Sequence, residues 1–143
     1  MGLFSRREAE PTPLDGVDTV LADLDGVVYA GAHALPHAVE SLNRAGETRR
    51  LGYITNNASR RDATVAEHLR ELGLTRTTPE DVVTSPQAAM RLLRERVAPG
   101  ATVLVVGGDG LVFELEKAGY AVTRSADDAP AAVLQGFAPD VGW

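Results

Sequence analysis

Two carboxylates one residue apart, Asp23 and Asp25, close the apolar run of VLADLDGVVYAG, and Gly26 follows at once. Like charges so close repel, and burying either without a partner is costly. In an extended segment alternate side chains share a face, so a D-x-D spacing aims both carboxylates at one point, with Leu24 opposite. A divalent cation held between that pair and a phosphate makes this a site for phosphoryl transfer, because hard cations take oxygen ligands and offset the charge. The competing reading is a turn, since aspartates at strand ends also cap turns and following helices. A second cluster, Thr55-Asn56-Asn57, ends the next apolar run, and asparagines likewise favour tight turns. Two clusters at two strand ends of one sheet favour chemistry, because ligands of open α/β sheets bind beyond the carboxyl ends of the strands.

The elements that must hold these residues can be read along the chain. Residues 1–13 are a charged, proline-bearing lead-in. Val17 to Leu24 has the length and apolarity of a buried strand. Pro36 to Arg44 reads as a helix with proline at its start and Gly46 just past its end. RLGYIT is a second strand ending at Thr55. Ser59, with Asp62 three residues on, has capping-box spacing for a helix whose inner stripe is Val65, Leu69 and Leu72. DVVTS is a third strand, and Ser85-Pro86 opens a helix with Met90, Leu93 and Val97 inward. VAPGA reads as a joint. Beyond it ATVLVVG, GLVFELEKAG, YAVTRS and AAVLQGF form a new β-α-β run. Strands alternating with helices of this kind imply parallel sheet with right-handed crossovers, so the fold class is α/β.

Composition narrows the function. The chain has 143 residues and a net charge of −6, which argues against nucleic acid as a partner. Hydrophobic residues make up 44% and aromatic ones 5%, enough for a core that is aliphatic. No cysteine is present, which excludes disulfides, thiolate metal sites and a cysteine nucleophile. No stretch reads as a signal peptide or a membrane span, so a cytoplasmic location is expected. The NAS sequon at Asn57 carries no weight without a secretion signal. His33, His37 and His68 lack ligand spacing, and His68 is expected on the outer face of its helix. The pairs Arg6-Arg7, Arg49-Arg50 and Arg60-Arg61 read as solvated. Arg60, following TNNAS, is also a candidate substrate contact.

DLDGVVYAG, LGYITNNASR, TSPQAAMRLL, VLVVGGDGL and AAVLQGFAPDVGW resemble, in order and spacing, the haloacid dehalogenase-like (HAD-like) hydrolases. The branch resembled is subfamily IIA, which holds 4-nitrophenyl phosphatase, phosphoglycolate phosphatase, pyridoxal phosphatase and nucleotide phosphatases. The likeness runs from about Leu14 to Trp143, and its most specific part is D-x-D-G-V with T-N-N-x-S-R downstream. The resemblance implies a doubly wound parallel-sheet core with an inserted α/β cap, the core beginning over residues 14–98 and the cap over 99–143. It implies a magnesium-dependent phosphatase that hydrolyses small phosphomonoesters through an aspartyl-phosphate. Asp23 would be the nucleophile and a magnesium ligand. Asp25 would be the acid/base and lend magnesium its backbone carbonyl. Thr55 would hold a phosphate oxygen, Asn56 and Asn57 would line the phosphate pocket, and Gly26 would leave room for the phosphate. A homodimer formed through the cap is a further expectation.

The chain also departs from the family. Such sites use a lysine and a further acidic pair on later core strands. Here the single lysine is Lys117, and VVGGDGLVFE, with Asp109 and Glu114, mimics the acidic motif without a preceding lysine. The chain is therefore expected to be a fragment ending within the cap and inactive alone. Two other functions stay open. One is a non-catalytic interaction module. The other is a phosphoacceptor signalling domain, which would place an aspartate after the third strand, where this chain has VVTSPQ.

Overall fold

The computed structural model describes residues 11–138. The first strand, β1 (Thr19–Asp23), is followed by a small antiparallel ribbon of β2 (Tyr29–Ala30) and β3 (His33–Ala34). Helix α1 (Ala38–Ala45), strand β4 (Arg50–Thr55), helix α2 (Asp62–Glu71) and strand β5 (Val82–Thr84) complete a parallel sheet in the order β1-β4-β5. Register sets its two faces. Ala22, Tyr53 and Val82 share one row, and Tyr53 and Val82 are buried against Val65, Ala66 and Leu69 of α2 and Val39 and Leu42 of α1. Asp23, Ile54 and Val83 share the next row on the opposite face, where Ile54 and Val83 are exposed.

Helix α3 (Ser85–Arg94) leaves β5 directly and leads to a second parallel sheet. Strands β6 (Thr102–Val106), β7 (Ala121–Thr123) and β8 (Ala132–Gln135) take the order β7-β6-β8, with α4 (Asp109–Lys117) crossing over. Its core is separate: Met90 and Leu93 of α3 join Val103, Val105, Leu111, Leu115 and Tyr120. The inward stripe of α3 is thus borne out, with Val97 packed at its margin, but it faces the second sheet rather than the first.

Both parallel sheets agree with the α/β expectation, and β4 matches its predicted bounds. β1 is shorter than Val17 to Leu24, because the chain turns after Asp23. α1 starts at Ala38, after His37 takes a left-handed φ of 65°. The capping box expected at Ser59 is absent. Arg61 precedes α2 with no side-chain cap, while Ser59 turns its hydroxyl to Asn57. The box forms instead on α3, where Thr84 and Gln87 satisfy each other's backbone N–H groups.

Candidate active site

The turn after β1 is built around Leu24, whose fully buried side chain anchors it. The Leu24 carbonyl accepts from the N–H groups of Val27, Val28 and Tyr29 at 3.2, 2.9 and 3.2 Å. Gly26 sits at φ 81°, a left-handed value that disfavours any residue with a Cβ, and its N–H donates to the Tyr29 carbonyl at 2.8 Å. A Cβ added at Gly26 would meet no atom within 4 Å, so conformation rather than space supplies the reason for a glycine. The turn leaves Asp23 and Asp25 exposed on either side of the buried Leu24, and the Asp25 carbonyl accepts none of its backbone bonds.

Parallel pairing with β4, in the register Asp23 to Ile54, brings the second cluster alongside. The buried Thr55 hydroxyl donates toward Asp25 Oδ2 at 3.5 Å, a long contact, and accepts from the Asn57 N–H at 3.1 Å. Asn57 Oδ1 then accepts from Ser59 N at 2.9 Å and Ser59 Oγ at 2.7 Å. Asn56 is exposed, and its carbonyl accepts from Ser85 Oγ at 2.9 Å. The Asn57 oxygen is therefore spent on shaping the loop, whereas the exposed Asn56 side chain is not in the loop's wiring.

Tyr29 was invisible as a site residue in sequence, and β2 buries it beside the two carboxylates. Burial holds its phenol above the ordinary 10.0, the Asp25 and Asp23 charges push the same way, and the Arg60 guanidinium opposes them. Arg60 thus belongs to the site's electrostatic surroundings. His68 is not on an outer face: its ring meets Tyr29 edge-on at 5.0 Å, and its side chain is 17% exposed. Its position three residues after Val65 puts it beside the inner stripe, where the β2 turn covers it. Lys117 is held by Glu114 at 3.6 Å. β5, which corresponds to the DVVTS strand of the sequence, ends in Thr84, which is committed to its cap, so no acid stands there. Arg6, Arg7 and Trp143 lie outside the described residues.

The donors at this strand end are carboxylate and carbonyl oxygens, the class that holds magnesium. Among the described residues no group of three or more His, Cys, Asp and Glu could hold a metal ion. Among the described residues no helix is long and apolar enough to cross a membrane.

A family model described as "Haloacid dehalogenase-like hydrolase" matches residues 20–121, which include both strand-end clusters. The chain belongs to the haloacid dehalogenase-like hydrolases. It is 47% identical over 126 residues to a D-glycerol 3-phosphate phosphatase of Mycobacterium tuberculosis, covering 88% of this chain and 35% of the relative. It is 45% identical over 107 residues to a glycerol-3-phosphate phosphatase of Gallus gallus, covering 74% and 34%. The crystal structure of a glycerol phosphate phosphatase from M. tuberculosis in complex with magnesium matches with a TM-score of 0.80 and 46% identity, over 88% of this chain and 37% of that one. NagD of E. coli matches with a TM-score of 0.71 and 29% identity, over 88% and 48%. These HAD-like neighbours place the chain in the NagD and p-nitrophenyl phosphatase branch. The chain spans about a third of the length of the curated relatives it matches.

Proposed function

We propose that the protein carrying this segment is a magnesium-dependent phosphatase of small phosphomonoesters, and that residues 14–98 begin its core and 99–143 its cap. The observation that carries this reading is that Asp23 and Thr55 end adjacent parallel strands, with the Thr55 hydroxyl directed toward Asp25 Oδ2 at 3.5 Å. Glycerol phosphate is the substrate to test first, given the names of the two relatives.

In this reading the Asp23 carboxylate attacks phosphorus, forming an aspartyl-phosphate as the bond to the ester oxygen breaks. Asp25, protonated, gives its proton to the departing alkoxide. As a carboxylate it then takes a proton from the water that attacks phosphorus, and the bond between the Asp23 oxygen and phosphorus breaks, freeing the Asp23 carboxylate and inorganic phosphate. Asp23 and the Asp25 carbonyl would hold magnesium, which when bound offsets the repulsion between carboxylate and phosphate. Thr55, whose hydroxyl is directed toward Asp25 Oδ2, would orient Asp25 or hold a phosphate oxygen, and Asn56 and Asn57 would line the phosphate pocket. Gly26 keeps its solvent side open.

The test is release of phosphate from glycerol 3-phosphate and 4-nitrophenyl phosphate by the full-length protein, with and without magnesium. Asp23→Asn should lower turnover by at least about a thousandfold, since loss of a covalent nucleophile removes several kcal/mol of barrier lowering. Near-native activity in Asp23→Asn would overturn the mechanism. A full-length protein inactive on every phosphomonoester would favour an interaction module.

A further inference from the structure

The turn Gly107-Gly108-Asp109-Gly110, at the start of α4, packs against the loop that follows Thr55. Gly110 N donates to the Ser59 carbonyl at 3.3 Å, giving a partner to one of the N–H groups that a helix start leaves unpaired. The approach is closed to larger residues. A Cβ on Gly110 would lie 2.8 Å from the Ala58 carbonyl oxygen and 2.9 Å from that of Arg60, backbone atoms that cannot swing aside. A Cβ on Gly108 would lie 3.3 Å from Ser59 Cα. Gly136, after β8, gives Ala58 room on the other side: a Cβ there would come within 2.7 Å of the Ala58 methyl. At the outer margin the Arg61 guanidinium stacks over the Phe113 ring at 4.4 Å, a geometry for cation–π attraction.

Resting on the phosphatase reading above, we propose that this glycine turn is a positioning element for the active site. It fixes the loop 56–61 and, through it, the Thr55 hydroxyl. The contacts are continuous. Gly110 N holds the Ser59 carbonyl, Ser59 N and Oγ hold Asn57 Oδ1, Asn57 N holds Thr55 Oγ1, and Thr55 Oγ1 reaches Asp25. The second sheet thereby sets the geometry of a threonine on the first. Gly110 and Gly108 act because only a residue without a Cβ lets two backbones come this close.

The experiment uses the full-length protein and 4-nitrophenyl phosphate, with inorganic phosphate as inhibitor. Gly110→Ala should lower kcat roughly 10- to 100-fold, because small displacements of a catalytic loop are costly, and weaken phosphate inhibition alongside. The decisive measurement is a double-mutant cycle with Thr55→Ala. If Gly110 acts through Thr55, the loss from Gly110→Ala shrinks to a few-fold at most in the Thr55→Ala background. Leu115→Ala, buried in the same second core and remote from the loop, should destabilise while leaving kcat per folded molecule unchanged. Should Gly110→Ala fail to fold, Phe113→Leu removes the ring beneath Arg61, and its smaller kcat loss should shrink in the same way. An active wild type matched in rate by folded Gly110→Ala, or strictly additive losses with Thr55→Ala, would overturn the positioning role alone. A wild type silent on all phosphomonoesters would bring down the phosphatase reading, and this inference with it.

Discussion

At the scale of single residues, the two aspartates and Thr55 stand out in the sequence by their type, and the side-by-side placing of the strands that end in Asp23 and Thr55 follows from strand pairing. Asn57 was legible only as half of an ambiguity. It follows Thr55-Asn56 like a ligand, yet its oxygen is bonded to Ser59 as a turn-former's would be. Tyr29 gave no signal, because its place depends on how the turn at Gly26 folds back. Asp25→Asn is expected to leave magnesium affinity nearly intact, since in the proposed arrangement only its backbone carbonyl serves the ion, while turnover collapses; calorimetric metal titration beside steady-state kinetics checks both. Thr55→Ala should be milder, about 1.5–3 kcal/mol for one hydrogen bond to a charged group. Equal damage from Thr55→Ala and Asp23→Asn would reverse the assignment of roles. The buried tyrosines set an alkaline limit. Burial first, helped by nearby acids, raises the phenols of Tyr29 and Tyr53 above 10.0. Both stay neutral in the folded state while the unfolded chain ionises near 10. Their contribution to stability is therefore whole below pH 10 and is lost as pH rises through the folded values. Unfolding free energy followed from pH 8 to 11 should fall less steeply in Tyr53→Phe.

At the scale of elements, periodicity located β4, β5 and the inner stripes of α2 and α3, because apolar burial wrote the pattern. Caps were less legible. S-x-x-D at Ser59 and T-x-x-Q at Thr84 obey similar spacing rules, yet only the second is a cap. Ser59 is drawn away by Asn57 and by its backbone bond to Gly110, a contact between distant segments that no local window contains. Thr84 has no such competitor and follows its strand straight into α3. Thr84→Ala should therefore cost about 1 kcal/mol, the usual worth of an N-cap, measured by denaturant unfolding. An unchanged midpoint would mean that Pro86 and packing alone hold the helix start.

At the scale of the whole molecule, strand order explains what the local reading left out. With strands laid down as β1, β4, β5 and right-handed crossovers, α1 and α2 land on the same face of the sheet. A doubly wound sheet covers its other face by reversing direction at the first strand, which would put Asp23 beside the switch point. Within the described residues that second face is bare. Leu21, Ile54 and Val83 are 65, 41 and 49% exposed, and among the described residues no strand lies beside the outer edge of β1. An apolar face next to an open strand edge invites association. A protein restricted to residues 11–138 is thus expected to bind a hydrophobic dye, to self-associate in sedimentation, and to release no phosphate, and under the proposed function the full-length protein is expected to do the opposite on all three counts. Leu21→Lys separates the causes, because its effect should change sign. In the short protein it places a charge on an exposed face and should improve solubility. In the full-length protein it would bury an unpaired ammonium beneath the covering elements and should destabilise by several kcal/mol. If Leu21→Lys were harmless in the full-length protein, this face would be bare there too, and the sheet would not be doubly wound.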